Sequence, residues 1–114
     1  MKLLVTGGRN YDDEAAVYYA LDALHAKRPI TLLIEGGADG ADKRCKAWAE
    51  MHGITVHTES ANWKAHGRRA GPMRNAKMLT LVPDGVLALP GGIGTADMCK
   101  QALAAGLKVW KPFG

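Results

Sequence analysis

The sequence predicts a single α/β domain with a five-stranded parallel sheet, strand order 3-2-1-4-5, and helices on both faces. Short apolar runs alternate with stretches of helical periodicity along all 114 residues, the pattern of strand–helix–strand units. Three of the apolar runs end in paired glycines. Crossovers between parallel strands are right-handed, so each helix must cover one face of the sheet. With 47% hydrophobic residues, residues 1–114 can bury one core, and we expect one Rossmann-like domain.

The pattern of apolar residues predicts three strands and two helices in the first half of the chain. The strands are predicted at 2–6, 30–35 and 54–57, of which the first two are short apolar runs that stop at paired glycines, as expected for buried strands of a parallel sheet. The helices between them are defined by apolar residues at helical spacing: Val17, Ala20, Leu21 and Leu24 in the first, and Ala41, Cys45, Trp48 and Ala49 in the second. Gly53 follows the second helix and is expected to end it.

The second half predicts a long loop, two helices and two more strands. Residues 58–71 are polar and basic without a clear period, which indicates a loop that crosses the domain. Pro72 suits the start of a helix, and further strands are predicted at 86–89 and 107–110, with a helix from about Thr95 to Ala105 between them. The expected apolar residues are Met78, Leu79, Leu81 and Val82 for the first helix, and Ala96, Cys99 and Leu103 for the second.

Composition narrows the class of protein. No run approaches the roughly 20 apolar residues of a membrane helix, and the N-terminal segment lacks a signal-peptide pattern. We therefore expect a soluble cytoplasmic protein without a membrane partner. Cys45 and Cys99 fall on helical apolar stripes, with no CxxC pair and no zinc-ligand spacing, so buried thiols are expected, and neither a metal nor a cofactor. The net charge of +4 attracts anions but does not distinguish nucleotides from nucleic acids.

The glycine pairs at the strand ends are the strongest indication of function. Gly7-Gly8, Gly36-Gly37 and the Pro90-Gly91-Gly92-Ile93-Gly94-Thr95 turn each precede a predicted helix. Backbone N–H groups in such turns can approach an anion closely, and the helix that follows adds the positive end of its dipole. Phosphate is the ligand that fits. The alternative, that these glycines only permit tight turns, stays open. None of the turns carries the Lys-Ser or Lys-Thr of a P-loop, which disfavours ATP hydrolysis.

Side chains near these turns supply further candidates. Arg74 stands near the start of a predicted helix, where its charge opposes the dipole, and a ligand phosphate would be a favourable partner. Asn75 is its neighbour. Trp63 could stack on a base or pin the long loop to the domain. Asp39 and Asp42 could cap the helix after Gly37 or accept hydrogen bonds from ribose hydroxyls.

Four segments together resemble one known family: Val5-Thr6-Gly7-Gly8-Arg9, Gly36-Gly37-Ala38-Asp39-Gly40-Ala41-Asp42, Met73-Arg74-Asn75, and Pro90-Gly91-Gly92-Ile93-Gly94-Thr95. The chain resembles the SLOG superfamily, which includes the lonely-guy phosphoribohydrolases and the DNA-processing protein A fold. The Ala61-Asn62-Trp63, His66-Gly67 and Ala70-Gly71-Pro72 pattern is similar to the small stand-alone YspA-like branch, found in bacteria and phages. The resemblance adds Arg9 to the ligand-binding candidates and implies a homo-oligomer, such as a dimer.

The resemblance also raises the question of catalysis. The enzymes of the superfamily cleave the N-glycosidic bond of a nucleoside 5′-monophosphate with an Arg and with the Glu of a PGGxGTxxE motif. Arg74 matches the first, but Met98 stands where the Glu belongs, and Asp97 precedes it. A thioether cannot stabilise the positive charge that develops on the ribose. Other SLOG domains resemble sensors that bind nucleotide-derived signals without cleaving them.

The sequence therefore leads to a binding module that senses or sequesters a nucleotide or an ADP-ribose-type ligand. One alternative is a hydrolase of nucleotide N-glycosidic bonds with Arg74 and Asp97 as catalytic residues. A second alternative is nucleic-acid binding, which the absence of a basic helix disfavours. The expected ligand-binding residues are Gly7, Gly8, Arg9, Gly36, Gly37, Asp39, Asp42, Trp63, Arg74, Asn75, Pro90, Gly91, Gly92, Gly94 and Thr95.

Overall fold

The computed structural model describes residues 1–114 and contains one sheet of five parallel strands in the order β3-β2-β1-β4-β5. This confirms the predicted class and strand order. The strands are β1 (Lys2–Thr6), β2 (Leu32–Glu35), β3 (Thr55–Thr58), β4 (Gly85–Ala88) and β5 (Val109–Trp110). The helices are α1 (Glu14–Lys27), α2 (Ala41–Met51), α3 (Trp63–His66), α4 (Ala70–Leu79) and α5 (Ile93–Ala104), with a 3₁₀ turn at Gly67–Arg69 between α3 and α4.

Two hydrophobic clusters lie on opposite faces of the sheet. Side chains alternate along β2, so Leu33 packs with α1 and α2 while Ile34 packs with α4 and α5. Trp48 of α2 is the largest fully buried side chain of the first cluster, and Met98 of α5 is buried in the second. Both faces are therefore covered, as the sequence predicts for a parallel sheet. The carboxyl ends of β1, β2 and β4 bring the three glycine turns to one edge.

The segment 58–71 is not the long loop that the sequence predicts. Asn62 caps α3 by accepting the Ala65 N–H at 3.1 Å, and the 3₁₀ turn leads directly into α4. Helix α4 begins at Ala70, two residues before Pro72. Proline is compatible with this position, because the first N–H groups of a helix have no intrahelical acceptor. A short capped helix has too few residues for apolar periodicity to reveal it.

The predicted inner face of the last helix is also partly wrong. Helix α5 begins at Ile93, before Thr95, and buries Met98, Cys99 and Ala102. Ala96 is exposed, and Leu103 is 61% exposed. Apolar residues surround most of this helix, so its periodicity does not define a unique inner face. Helix α4 likewise ends at Leu79, which leaves Val82 exposed beyond it, while Leu79 and Leu81 pack against the second cluster.

The two cysteines are buried and unpaired, as predicted. No helix in the structure combines the length and the apolar character that crossing a membrane requires.

Candidate functional site

A cavity of about 570 Å³ opens at the carboxyl edge of the sheet, beside the turns that follow β1 and β4. Its lining includes these sequence-predicted residues: Gly7, Gly8, Arg9, Asp42, Trp63, Arg74, Asn75, Pro90, Gly91, Gly92, Gly94 and Thr95. The remaining candidates, Gly36, Gly37 and Asp39, line a smaller neighbouring cavity of about 240 Å³. Arg9, Trp63 and Arg74 line both cavities, so the two spaces adjoin.

The turns after β1 and β4 are bonded to each other. Gly8 N–H donates to the Pro90 carbonyl at 2.8 Å, and the Gly8 carbonyl accepts from the Ala41 N–H at the start of α2 at 3.1 Å. A Cβ added at Gly91 would lie 2.7 Å from the Gly8 nitrogen and would overlap the Thr95 hydroxyl. Gly8 and Gly91 thus permit the turns after β1 and β4 to approach each other closely. The Gly8 N–H is already paired with a protein acceptor.

The N-terminus of α5 faces the cavity without a cap. No side chain caps this helix, its first turn contains no acidic residue, and no protein acceptor pairs with the N–H of Gly94 or Thr95. A Cβ added at Gly94 would meet nothing within 4 Å outside its own helix, so the space beside Gly94 is open. Unpaired N–H groups at the positive end of a helix dipole form a site for an anion.

Arg74 lies beside this helix end and is half-buried. Its Nη1 donates to the Gly36 carbonyl at 2.8 Å, and its Nε donates to Asn75 Oδ1 at 3.0 Å. The protein itself therefore supplies two partners for Arg74, for which the sequence analysis named a ligand phosphate. Arg74 lines the cavity, and its Nη2 makes no bond to the protein. The guanidinium is held in place with one nitrogen free for an anion.

Asn75 connects α4 to α5. Its side chain is buried, and Nδ2 donates to the Gly94 carbonyl at 3.2 Å and to Asp97 Oδ2 at 2.9 Å. Asp97 also accepts from Gln101 Nε2 at 2.8 Å, and it does not line the cavity. The hypothetical catalytic pair of Arg74 and Asp97 is thus not brought together in the cavity. Met98 is 0% exposed in the apolar cluster under α5.

Asp42 does not cap α2, whose N-cap position is occupied by Gly40 and which has no side-chain cap. Instead its Oδ2 accepts from the N–H groups of Gly36 at 3.2 Å and Ala38 at 3.3 Å, and so holds the turn after β2. Asp42 is only 6% exposed, and burial raises its pKa to about 6. Asp39 is exposed and makes no side-chain hydrogen bond, so the two aspartates have different surroundings.

Glu35 is a second buried carboxylate at this turn. It is 1% exposed, its Oε1 accepts from the Gly37 N–H at 2.9 Å, and its Oε2 has no hydrogen-bond partner. The charge of Glu35 adds to the effect of burial on the pKa of Asp42, while the Arg74 charge opposes it. Two carboxylates and one guanidinium therefore lie close together at this turn, although Glu35 lines neither cavity.

Two aromatic side chains contribute to the cavity. Trp63 is half-exposed, and its ring lies against Gly71, where an added Cβ would be 3.2 Å from Cη2. Tyr11 also lines the cavity, and its N–H donates to the Gly8 carbonyl at 3.1 Å. The sequence analysis missed Tyr11. The signal available was an aromatic residue three positions after a glycine pair, within reach of the same turn.

Comparisons with known proteins agree with this architecture. The family model described as "YspA, cpYpsA-related SLOG family" matches residues 1–66. The Gene 61 protein of Mycobacterium phage D29 is 35% identical over 116 residues, which cover 95% of this chain and 93% of the phage protein. DNA processing protein A (DprA) from Streptococcus pneumoniae has a similar structure, with a TM-score of 0.55 and 16% identity over 96% of this chain. This chain covers 58% of the pneumococcal one, and the likeness shows the fold alone.

Proposed function

Because the chain belongs to the YspA- and cpYpsA-related SLOG family, we propose that its cavity binds a nucleotide or an ADP-ribose-type ligand, with a phosphate at the start of α5. Family and fold fit a nucleotide-related or DNA-processing role. The finer assignment rests on the contents of the cavity. Its volume of about 570 Å³ lies in the range of small-molecule sites.

One observation carries the proposal. Gly94 and Thr95, whose N–H groups are unpaired, and Arg74, whose Nη2 is free, line the same cavity. Backbone donors at a helix N-terminus together with a guanidinium are a recurrent combination for phosphate. Trp63 offers a half-exposed aromatic face to a base at the rim, since stacking on an aromatic side chain needs no hydrogen-bond pattern.

The cavity supports sensing or sequestration rather than cleavage. The superfamily's enzymes stabilise the oxocarbenium-like ribose with the Glu of the PGGxGTxxE motif, and no carboxylate of that motif lines this cavity. The side chain of Asp97 is held by Asn75 and Gln101, and Met98 is buried in the core. Incubation with nucleoside 5′-monophosphates should therefore release no free base, as measured by chromatography. Turnover that Asp97→Asn abolishes would replace this proposal with a hydrolase.

The binding test compares wild type with Gly94→Val. AMP or ADP-ribose should raise the melting temperature of wild type, since occupancy at about 100 times Kd adds roughly 2.7 kcal/mol of stability. Gly94→Val should remain folded, because a Cβ there meets no atom within 4 Å outside its own helix, and should lose the shift. Ala104→Val at the other, exposed end of α5 is the matched control and should keep it. No shift with any nucleotide at millimolar concentration would contradict the proposal.

A second candidate function, binding of single-stranded nucleic acid, is favoured by the segment between Trp63 and α4. Lys64, Arg68 and Arg69 are exposed there and pair with no carboxylate. Trp63 and Gly71 at the two ends of this segment line the cavity. Exposed cations beside an aromatic side chain are typical of sites for single strands.

Fluorescence anisotropy with a labelled oligothymidine tests this second candidate. Binding should weaken steeply between about 50 and 200 mM salt, because each neutralised phosphate contributes to the salt dependence. Replacement of Lys64, Arg68 and Arg69 by Gln should remove it. The same replacement at the exposed Lys27, Lys100 and Lys108 removes equal charge elsewhere and should have a smaller effect. Absence of binding at the lower salt concentration would eliminate this candidate.

A further inference from the structure

Asp42 is the only carboxylate that lines the main cavity. Its two oxygens differ in their surroundings. Oδ2 accepts both backbone N–H groups, at 3.2 Å and 3.3 Å, whereas no protein donor contacts Oδ1. Although Oδ1 has no hydrogen-bond partner, it is not fully buried. Oδ1 is therefore the oxygen that remains free for a ligand.

A charge at this position is not needed to hold the turn. The Gly36 and Ala38 N–H groups require one acceptor oxygen, which an asparagine carbonyl would supply without the cost of burying a charge. The charged groups around Asp42 are Glu35 on β2 and Arg74 on α4, while burial raises the pKa of the neighbouring Cys45 thiol and keeps it neutral. Arg74 makes no salt bridge to it within 4.0 Å. Asp42 is thus a buried acceptor whose free oxygen no protein group uses.

We propose that Oδ1 of Asp42 accepts a hydrogen bond from a ribose hydroxyl of the ligand, and thereby selects ribonucleotides over nucleotides whose sugar lacks hydroxyls. This inference rests on the proposed function, because it assumes a nucleotide in the cavity. It adds the orientation of that nucleotide. An ionised carboxylate repels a phosphate, so the phosphate lies at the start of α5 and Arg74 while the sugar lies against Asp42.

The first measurement uses wild-type protein with AMP and with 2′,3′-dideoxy-AMP, which carries the same base and phosphate. A hydrogen bond from a neutral donor to a buried charged acceptor corresponds to roughly a 10- to 100-fold difference in Kd. Isothermal titration should therefore give AMP the tighter binding by about this factor. The phosphate contributes equally to both ligands, so the ratio of the two Kd values reports on the sugar alone.

The second measurement repeats the comparison with Asp42→Asn. The amide carbonyl should take the place of Oδ2 on the two backbone N–H groups, which turns the NH₂ group toward the cavity and replaces a charged acceptor with a neutral donor. The preference for AMP should fall to less than about threefold. Glu50→Gln removes a charge from an exposed position on the same helix, where its side chain makes no bond, and should keep the full preference.

Acidification gives a test without any substitution. Lowering the pH from about 7.5 to about 5 protonates Asp42, whose pKa is about 6, and the Kd ratio in wild type should fall toward one. Titration of the ligand phosphate cancels in this ratio, since both nucleotides carry it.

The outcomes distinguish this inference from the proposed function. Equal binding of AMP and dideoxy-AMP by wild type would overturn the role of Asp42 and leave nucleotide binding intact. A preference that persists in Asp42→Asn and at low pH would overturn it as well. No binding of either nucleotide would overturn the proposed function and this inference together.

Discussion

At the scale of single residues, Arg74 illustrates how the protein prepares a group for a ligand. Two of its nitrogens are bonded to Gly36 and Asn75, while Nη2 remains free at the cavity. The bonds fix the direction of the guanidinium before any ligand arrives. Less side-chain entropy is then lost when a phosphate binds, because the rotamer is already selected.

Arg74→Ala should weaken binding of AMP by about 1.5–3 kcal/mol, the range for a hydrogen bond to a charged group. Arg74→Lys should recover only part of this loss, because an ammonium cannot reproduce the planar fork that contacts Gly36 and a phosphate together. Isothermal titration measures both. Lys100→Ala on the exposed face of α5 is the control for loss of a positive charge, and affinity unchanged in Arg74→Ala would contradict the role of Arg74.

At the scale of elements, α4 and α5 form one unit. Asn75 joins the two helices through Gly94 and Asp97, and Gln101 Nε2 donates to both Asp97 and the Pro72 carbonyl, the latter at 3.1 Å. These bonds position the uncapped start of α5 relative to Arg74. They also hold the side chain of Asp97, which does not line the cavity.

Met98→Glu restores the carboxylate that the superfamily's enzymes carry, but we expect it to unfold the protein rather than to create hydrolysis. Met98 is fully buried in the cluster that includes Leu4, Ile34 and Met78. An unpaired charge in such surroundings costs several kcal/mol. Urea unfolding should show this loss for Met98→Glu, whereas Leu103→Glu on the exposed side of α5 should change stability by less than about 0.5 kcal/mol. A stable Met98→Glu variant that hydrolyses AMP would contradict this expectation.

At the scale of the whole molecule, the buried carboxylate of Asp42 links folding to pH. Folding raises its pKa from the usual 3.8 to about 6, so the folded state holds the proton more tightly than the unfolded chain. Between these two values the unfolded state has fewer bound protons, and the contribution of Asp42 to stability decreases as the pH rises. Above about pH 6 the ionised group costs the folded state on the order of 2–3 kcal/mol.

Asp42→Asn should therefore stabilise the protein at neutral pH. We expect its free energy of unfolding to exceed that of wild type by about 2–3 kcal/mol near pH 7.5, and to come close to it near pH 3.5, where Asp42 is protonated in the folded state and mostly protonated in the unfolded chain. Urea titrations at the two pH values measure the difference. An equal effect of the substitution at both would show that the pKa of Asp42 is not raised by folding.

The homodimer that the resemblance implies stays a prediction. Leu79 and Leu81 pack against the core of their own chain, so the large apolar side chains left exposed on the first turns of α4 and α5 are Met73 and Ile93, the latter 91% exposed. We propose that a second copy covers these residues. Sedimentation velocity should give a dimer at micromolar concentration, and Ile93→Glu should shift it to monomer. A monomeric wild type would contradict the proposal.

The sequence by itself determined the five strands, their order and the edge at which the glycine turns lie. Buried parallel strands are continuous apolar runs, and the right-handed crossover leaves few arrangements of a chain that alternates strands and helices. Gly7, Gly36 and Gly91 follow strands that point in the same direction, so their common edge follows from local pattern and topology alone.

Only the tertiary structure decided which side chains meet at that edge. Arg74 bonds to Gly36 across 38 positions of sequence, Asn75 and Gln101 hold Asp97, and Asp42 turns back to the Gly36–Ala38 turn instead of capping its helix. The buried face of α5 was undetermined for a related reason. Local periodicity shows only which face of a segment can be buried. The identity of each hydrogen-bond partner depends instead on how distant segments pack against the same sheet.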